Sequence, residues 1–349
     1  MNKASRLNKK LALVLASLTL VVGTIPRFVW SLRPEHLFRA DDWDWLGNSA
    51  LLPLGAYVHL LPHQIYNDRA VGALLITTVF RLVGLDNVTF HGIWLAIHLL
   101  NCLLVMALGM RLFRSIPLAW VAAYAFGNWT ASTGAVTWVA AVFDLVSCTF
   151  VLASILTFLS ERAPVQMLSP IFYFLAMRTK ESALLLPVLL LVHFLLSAPR
   201  DKFFRRLGWH FGLLGLFVAM HGYFYFFQYT RTTGPGDPYF LRFDLLTLAK
   251  GLSFYLRAML YRVYPLPAAL LAVGGALLLA GMIGRKGEAV VIGAAGFLLL
   301  LAPVLFLVNR RDALYLYAPS AFFAILWVGL ARRAMDLVGW AVVRRSAAH

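Results

Sequence analysis

The sequence has few charged residues and very few acidic ones. Charged residues make up 13% of the chain, and only 15 of its 349 residues are Asp or Glu. A soluble domain carries roughly 25% charged residues, so this composition excludes an ordinary soluble enzyme. Several apolar runs exceed the roughly 20 residues that cross a bilayer as a helix. Because the backbone in lipid must satisfy its own hydrogen bonds, these runs predict an all-α polytopic membrane protein.

Cysteine is also scarce. Cys102 and Cys148 both lie inside apolar runs, so we expect buried packing residues that indicate no redox compartment. The net charge is +16, but the basic residues stand between apolar segments and form no continuous stripe. We therefore exclude nucleic acid as a partner and expect topology signals and phosphate contacts instead.

The apolar runs predict about ten transmembrane helices in a single domain over residues 1–349, with no soluble domain. The predicted spans are 11–30, 88–111, 116–132, 134–159, 166–178, 181–198, 208–228, 265–283, 288–308 and 313–331. Lys and Arg in the short loops and tails predict that both termini are cytoplasmic. The expected location is a bacterial inner membrane.

Two predicted outer segments are long, at 31–87 and 229–264. The first contains "YNDRAVGALLITTVFRLVG", which is too short and too charged for a span. The second contains "LLTLAKGLSFYLRAMLYRVYP", in which cations recur at helical spacing among aromatic residues. Both stretches predict amphipathic helices that lie on the membrane surface.

Carboxylates and cations share the predicted outer face. The stretch "FRADDWDW" holds Asp41, Asp42 and Asp44, "RTKES" holds Lys180 and Glu181, and "NRRD" holds Arg310 and Arg311. Asp144 lies inside the fourth predicted span, where a carboxylate is costly and is therefore a functional candidate. Each group also has a purely structural explanation. The loop carboxylates could be solvated, and "RTKES" could be a polar hairpin tip. Arg310 and Arg311 could contact lipid headgroups, and Asp144 could pair with a polar neighbour.

This combination suits transfer of a group from a phosphate-linked lipid. Asp41 or Asp42 can take the proton of an acceptor hydroxyl, and cations can hold the phosphate and stabilise its growing charge. The cations expected to meet the lipid phosphate are Arg257, Arg262, Arg310 and Arg311. His63, in the first outer segment, is a further binding candidate. Trp43 and Trp45 are expected to anchor the interface.

Four stretches together resemble membrane glycosyltransferases of the GT-C fold, and within them the protein O-mannosyltransferase-like group. They are "ADDWDW", "RLVGLDNVTFHGIWLAIHLLNCLLVMAL", "MRTKESALLLPVLLL" and "RRDALYLYAPSAFF". Their order and spacing hold over about 300 residues, although the chain lacks the tetratricopeptide repeats that some members carry. No single stretch is specific alone.

The resemblance implies a GT-C enzyme that takes a sugar from a polyprenyl-phosphate carrier on the non-cytoplasmic face. Asp41 or Asp42 matches the acidic residue that acts as general base, or that holds a divalent metal in some relatives. Asp144 matches an acidic residue of the fourth helix. The residues that match positions around the donor phosphate and sugar are Lys180, Glu181, Arg310 and Tyr317. The acceptor would be a glycan, a lipid or a protein.

Two other functions stay open at this point. A transporter or flippase of lipid carriers would need a polar path through the bundle, and Asp144 is almost alone as an ionisable residue inside the spans. An inactive GT-C-like scaffold would bind a partner with the same outer face and carry out no transfer.

Overall fold

The computed structural model describes residues 3–59, 68–197, 203–223, 234–260 and 287–346. Within these ranges the regular structure is helical, apart from an isolated β-bridge between Leu241 and Leu307. The helices of eight or more residues are α1 Lys3–Thr24, α2 Asp42–Leu51, α3 Ala70–Val83, α4 Asn87–Phe113, α5 Ile116–Asn128, α6 Thr130–Thr137, α7 Val142–Phe158, α8 Leu168–Met177, α9 Leu186–Ser197, α10 Phe203–Tyr223, α11 Leu245–Met259, α12 Glu288–Leu305 and α13 Tyr317–Ser346. A four-residue helix also spans Ala163–Gln166.

Five stretches of the described chain are long and apolar enough to cross a membrane. They are Leu7–Arg27, Asn87–Phe113, Val139–Phe158, Glu288–Leu305 and Ala313–Asp336. The all-helical class is therefore confirmed, whereas the count of ten spans stays a prediction. The helices α5 and α8 coincide with predicted spans but have only 13 and 10 residues. The predicted span 265–283 lies outside the described residues.

Helices form at both stretches that the sequence predicts to lie on the membrane surface. In α11, every fourth residue is buried, at Thr247, Gly251, Tyr255 and Met259. Asp244 begins this helix by accepting a hydrogen bond from the Thr247 amide at 2.9 Å, which satisfies one of the free N–H groups of the first turn. The helix therefore rests on the bundle along one narrow stripe.

The helix α3 is bound more deeply than a surface helix would be. Its Gly72 lies so close to α7 that a Cβ atom would come within 2.3 Å of the Phe143 ring. The amide of Val71 also donates to the Arg178 carbonyl at 3.2 Å. This packing brings the first turn of α3 to the point where α8 ends.

A buried hydrogen-bond network joins four helices in the core. His98 of α4 bonds through Nδ1 to the Tyr317 hydroxyl of α13 at 2.8 Å and through Nε2 to the Gly127 carbonyl of α5 at 3.0 Å. Asn101 donates to the same hydroxyl and to the Leu145 carbonyl of α7. Since buried polar groups need partners, this network specifies how α4, α5, α7 and α13 meet.

Connecting segments gather at one end of the bundle, which we call the loop-rich end. It comprises residues 25–41, 129–141, 178–185, 234–244 and 306–316. Hydrogen bonds join these segments, as when the His36 ring meets the Thr137 carbonyl at 2.9 Å and the Arg242 amide donates to the Phe306 carbonyl at 3.0 Å. Of these residues, the sequence assigns 31–41, 178–181, 234–244 and 309–312 to the outer face, and most of the others to the ends of predicted spans.

Basic side chains close the opposite end of the bundle. Arg111 donates to the Leu159 carbonyl at 3.2 Å, which joins the last turns of α4 and α7. Arg332 of α13 donates to the Phe113 carbonyl at 2.7 Å. These contacts place the C-terminal ends of α4 and α7 beside the basic part of α13, away from the loop-rich end.

The helices α12 and α13 approach each other so closely at Gly293 that a larger residue there should destabilise the protein. A Cβ atom at Gly293 would lie 2.6 Å from the Leu326 backbone nitrogen, and backbone cannot move aside as a side chain can. We expect Gly293→Ala to destabilise the protein by about 1–3 kcal/mol. Gly212→Ala on α10, where nothing lies within 4 Å, is the matched control. Thermal unfolding in detergent measures both, and equal midpoints would contradict the close packing.

Candidate functional site

Two adjacent carboxylates at the start of α2 have different surroundings. Asp42 is 1% exposed, and its oxygens accept hydrogen bonds from the Ala140 amide at 2.6 Å and the Arg39 amide at 2.9 Å. Burial raises the pKa of Asp42 above its ordinary value, while the two backbone donors oppose the rise. With both oxygens engaged, Asp42 braces the first loop against the turn Val139–Ala141.

Asp41 faces outward, and its side chain is 52% exposed. Ala40, just before it, has a φ of 47°, a left-handed conformation that costs roughly 1–2 kcal/mol for a residue with a Cβ atom. One Asp41 carboxylate oxygen lies 3.9 Å from a guanidinium nitrogen of Arg310. The fold therefore brings together a predicted base and a predicted phosphate-binding cation from opposite ends of the sequence.

Arg310 is held in place by an aromatic residue. It donates to the Tyr239 hydroxyl at 2.6 Å, and its guanidinium lies 5.0 Å from the centre of the Tyr239 ring. The next residue, Arg311, is half-buried, and its Nε atom is buried without a hydrogen-bond partner in the described part of the chain. Arg310 thus stands beside Asp41, and the adjacent Arg311 has an unused donor.

Asp144 and Lys180 form a buried ion pair. The Lys180 ammonium lies 2.5 and 2.6 Å from the two Asp144 oxygens, and their side chains are 6% and 5% exposed. The ammonium also lies 4.9 Å from the centre of the Tyr315 ring. This pairing satisfies the carboxylate that the sequence placed alone inside a span, because a buried charge persists only with a partner.

Glu181 pairs with a residue that sequence reasoning missed. Arg69, at the start of α3, donates to a Glu181 oxygen at 2.7 Å, and its guanidinium lies 5.8 Å from the Phe143 ring centre. Beside it, Asp68 lies 2.7 Å from the His221 ring. The available signal was the adjacent charges Asp68 and Arg69, directly before an apolar helix. Sequence reasoning took the charges of this stretch as a reason to reject a membrane span and to predict a surface helix.

A cleft of about 360 Å³ opens at the loop-rich end. The walls include Arg39, Ala40, Trp138 and Asp312. The Arg39 guanidinium lies 5.6 Å from the centre of the Trp138 ring, and Asp312 accepts the Leu314 amide at 2.8 Å. Ala40 of the wall directly precedes Asp41 in the chain, and Asp41 itself is not among the lining residues. Sequence reasoning gave no role to Arg39, Trp138 or Asp312 as cleft residues.

The remaining candidates have varied positions. Tyr317 is fully buried, and its hydroxyl is engaged by His98 and Asn101 in the core. Arg257 is exposed on α11. Arg262 and His63 lie outside the described residues.

The two neighbouring tryptophans also differ. Trp43 is 54% exposed, as an interface anchor would be. Trp45 instead packs on Phe143, with ring centres 4.6 Å apart. Only one of the two therefore presents its ring to the surroundings of the bundle.

Within the described ranges, no three His, Cys, Asp or Glu residues stand close enough to hold a metal ion. Comparison with protein-family models, with curated proteins and with solved structures finds no match for this chain.

The Asp144–Lys180 pair predicts an asymmetric response to mutation. Lys180→Met leaves a buried carboxylate unpaired, so we expect a loss of about 3–5 kcal/mol in the free energy of unfolding. Adding Asp144→Leu should recover most of this loss, because an apolar pair needs no charge partner. Unfolding midpoints in detergent are the readout, with the exposed Lys250→Met as control. A double variant no more stable than Lys180→Met would disprove the coupling.

The raised pKa of Asp42 predicts a pH dependence with a definite sign. From pH 3.8, the ordinary pKa, up to the higher folded pKa, the native state holds more protons than the unfolded state. Stability should therefore fall as pH rises through that window and level off above it. Asp42→Asn should lose this slope, whereas Asp44→Asn should keep it. Parallel profiles of unfolding midpoint against pH for the wild type and Asp42→Asn would refute the assignment.

Proposed function

We propose that the chain is a GT-C-type membrane glycosyltransferase. It transfers a sugar from a polyprenyl-phosphate-linked donor to a hydroxyl of a glycan, lipid or protein. The observation that carries the proposal is the half-exposed Asp41 carboxylate 3.9 Å from Arg310, one residue after Ala40 of the cleft wall. Transfer from a phosphate leaving group needs a base that takes the acceptor's proton and a cation that stabilises the phosphate charge. Asp41 is suited to the first role and Arg310 to the second.

Asp41 and Asp42 have different roles in this proposal. Asp42 is buried and both of its oxygens accept backbone amides, so an acceptor hydroxyl cannot reach it. Asp41 is accessible and acts as the base. The acceptor oxygen attacks the anomeric carbon while its proton passes to Asp41. The bond from that carbon to the phosphate oxygen breaks, and the lipid phosphate leaves with the electron pair. One direct displacement inverts the anomeric configuration, by the logic established for glycosidases.

Arg310 and Arg311 receive the leaving phosphate. Bidentate contacts from guanidinium groups orient phosphate and stabilise its developing charge. The unpartnered Nε of Arg311 supports this role, since an unsatisfied buried donor costs about 1–3 kcal/mol and an anion would satisfy it. On α11, exposed Lys250 and Arg257 stand with exposed Leu245 and Leu246, a combination that suits lipid headgroups.

The active site is proposed for the outer face of a bacterial inner membrane, with both termini in the cytoplasm. The candidate residues stand at the loop-rich end, while Arg111 and Arg332 close the other end. Cytoplasmic segments carry the excess of basic residues in membrane proteins. The buried polar groups favour an enzyme over a transporter, because Asp144 and Lys180 bond to each other.

The test is sugar transfer by the purified full-length chain in lipid vesicles, with labelled polyprenyl-phosphate sugars as donors. We expect Asp41→Asn to lower the rate by about 10²–10⁴, the usual contribution of a general base. Arg310→Ala with Arg311→Ala should lower it by at least about 10². Lys at both positions should rescue only part of this loss, because the fork geometry is absent.

The matched control is Arg242→Ala, an exposed arginine in the same layer that pairs with Asp244 at 2.7 Å. It should transfer at the wild-type rate. Full activity in the double Arg variant would reject the phosphate role. Donor binding without transfer by the wild type, with every donor and acceptor tried, would indicate a scaffold instead.

A further inference from the structure

The helix α5 exposes one narrow stripe on the outside of the bundle. Its exposed residues are Pro117, Val121 and Tyr124, and they share one helix face because they are spaced four and three positions apart. Val121 is 46% exposed and Tyr124 is 37% exposed. The remaining residues of α5 are buried or half-buried, so the rest of this helix is covered by its neighbours.

Neighbouring helices flank this stripe. On α1, a Cβ atom at Gly23 would lie 3.1 Å from the Tyr124 ring. On α13, the centre of the Tyr317 ring lies 5.4 Å from that of Phe126 in α5. The helix α4 packs on the opposite face of α5, at Ala119. The stripe is therefore the floor of a furrow whose walls are α1 and α13, and we call it the α5 furrow.

Cations stand where the α5 furrow meets the basic end of the bundle. Arg114, directly after α4, is exposed and has a φ of 54°. A left-handed residue after a helix is usually Gly, so an arginine here keeps its side chain at the expense of backbone strain. Arg332 of α13 donates to the carbonyl of Phe113 at 2.7 Å. Two elements thus place a guanidinium group at this point.

The helix α1 brings lysines to the same level. The helices α1 and α5 run in the same direction and meet where a Cβ atom at Gly127 would lie 3.1 Å from the Thr24 hydroxyl oxygen. Lys10 precedes Thr24 by 14 residues and Arg114 precedes Gly127 by 13, so both stand about 20 Å from that contact at a helical rise of about 1.5 Å per residue. Lys9 and Lys10 are both exposed.

The balance of charge along the furrow selects an anion. Over residues 7–24, 114–128 and 317–336, the chain has five basic residues and one acidic residue, Asp336. All six stand at the basic end, and exposed apolar residues such as Leu11 and Val121 follow along the furrow. A partner that fits both parts has an anionic head and long apolar chains. A free phosphate ion would leave the apolar part bare.

The positive-inside rule alone does not explain this arrangement. The rule accounts for the number of basic residues in cytoplasmic segments. It does not require cations from α1, from the turn after α4 and from α13 to meet at the foot of one furrow. Basic pockets between transmembrane helices on the cytoplasmic side are known to bind the headgroups of acidic lipids.

We propose that the α5 furrow binds an anionic glycerophospholipid. The headgroup phosphate lies on Arg114 and Lys10, and an acyl chain lies along Val121 and Tyr124. The proposal goes beyond sugar transfer and does not rest on it, because the furrow contains none of the residues assigned to the transfer step.

The experiment titrates the full-length chain in detergent with phosphatidylglycerol or with phosphatidylcholine of the same acyl chains. Native mass spectrometry gives the dissociation constant of the first lipid bound. We expect the wild type to bind phosphatidylglycerol at least about tenfold more tightly. Arg114→Gly and Lys10→Gln should each weaken its binding about fivefold, since a cation near a lipid surface contributes about that much. Glycine suits the left-handed backbone, so Arg114→Gly removes the cation without disturbing the fold.

Two further variants separate the headgroup, the acyl chain and the diffuse charge of this end. Val121→Trp fills the floor of the furrow and should weaken the binding of both lipids alike. Arg162→Gln removes an exposed arginine at the same end but after α7, which is not a wall of the furrow, and should bind as the wild type does.

Three results would overturn the proposal. Equal affinity for the two lipids would remove the anionic headgroup. A loss in Arg162→Gln as large as in Arg114→Gly would show that only the overall charge of this end matters. Wild-type binding in Val121→Trp would exclude the furrow as the place of the acyl chain. The transfer assay enters none of these results, so the lipid site and the proposed function stand or fail separately.

Discussion

Charges at the loop-rich end are arranged around the buried pair of Asp144 and Lys180. The two side chains come from the first turn of α7 and from the turn after α8, and their charged atoms lie 2.5 Å apart. Neither charge persists alone in surroundings of low polarity, so the pair fixes where these two elements meet. Glu181 follows Lys180 directly and reaches Arg69. The start of α3 is thereby held against the same turn, and Val71 adds a backbone bond to Arg178.

Outside this paired interior, some charges stand exposed or without a partner among the described residues. The carboxylates and cations of the interior satisfy one another, whereas Asp41 is half-exposed and Arg311 keeps an unused buried donor. The adjacent residues Asp41 and Asp42 therefore differ in what they contact. Asp42 holds the first loop in place with both of its oxygens, and Asp41 is presented outward by the turn at Ala40.

Sequence reasoning succeeded where a single element carries the signal and missed where partners come from far apart. The 27-residue α4 coincides with its predicted span because apolar length alone defines it. The helix α11 followed from cations at helical spacing. Arg69, by contrast, lies 112 positions from Glu181, and nothing local marks it as a partner. Tyr317 matched a site motif, but its hydroxyl is taken up by His98 and Asn101 in the core.

Composition and apolar length by themselves determined that this is a helical protein with helices able to cross a membrane, because the bilayer limits both polarity and backbone choice. They also drew attention to the few carboxylates, since acidic residues are rare in such a chain. Only the tertiary structure decided which carboxylate is accessible and which is engaged, and that Trp138 and Arg39 share a cleft with Asp312. Those distinctions depend on burial and on distances between segments that are far apart in the sequence. The order of the residues alone reveals neither.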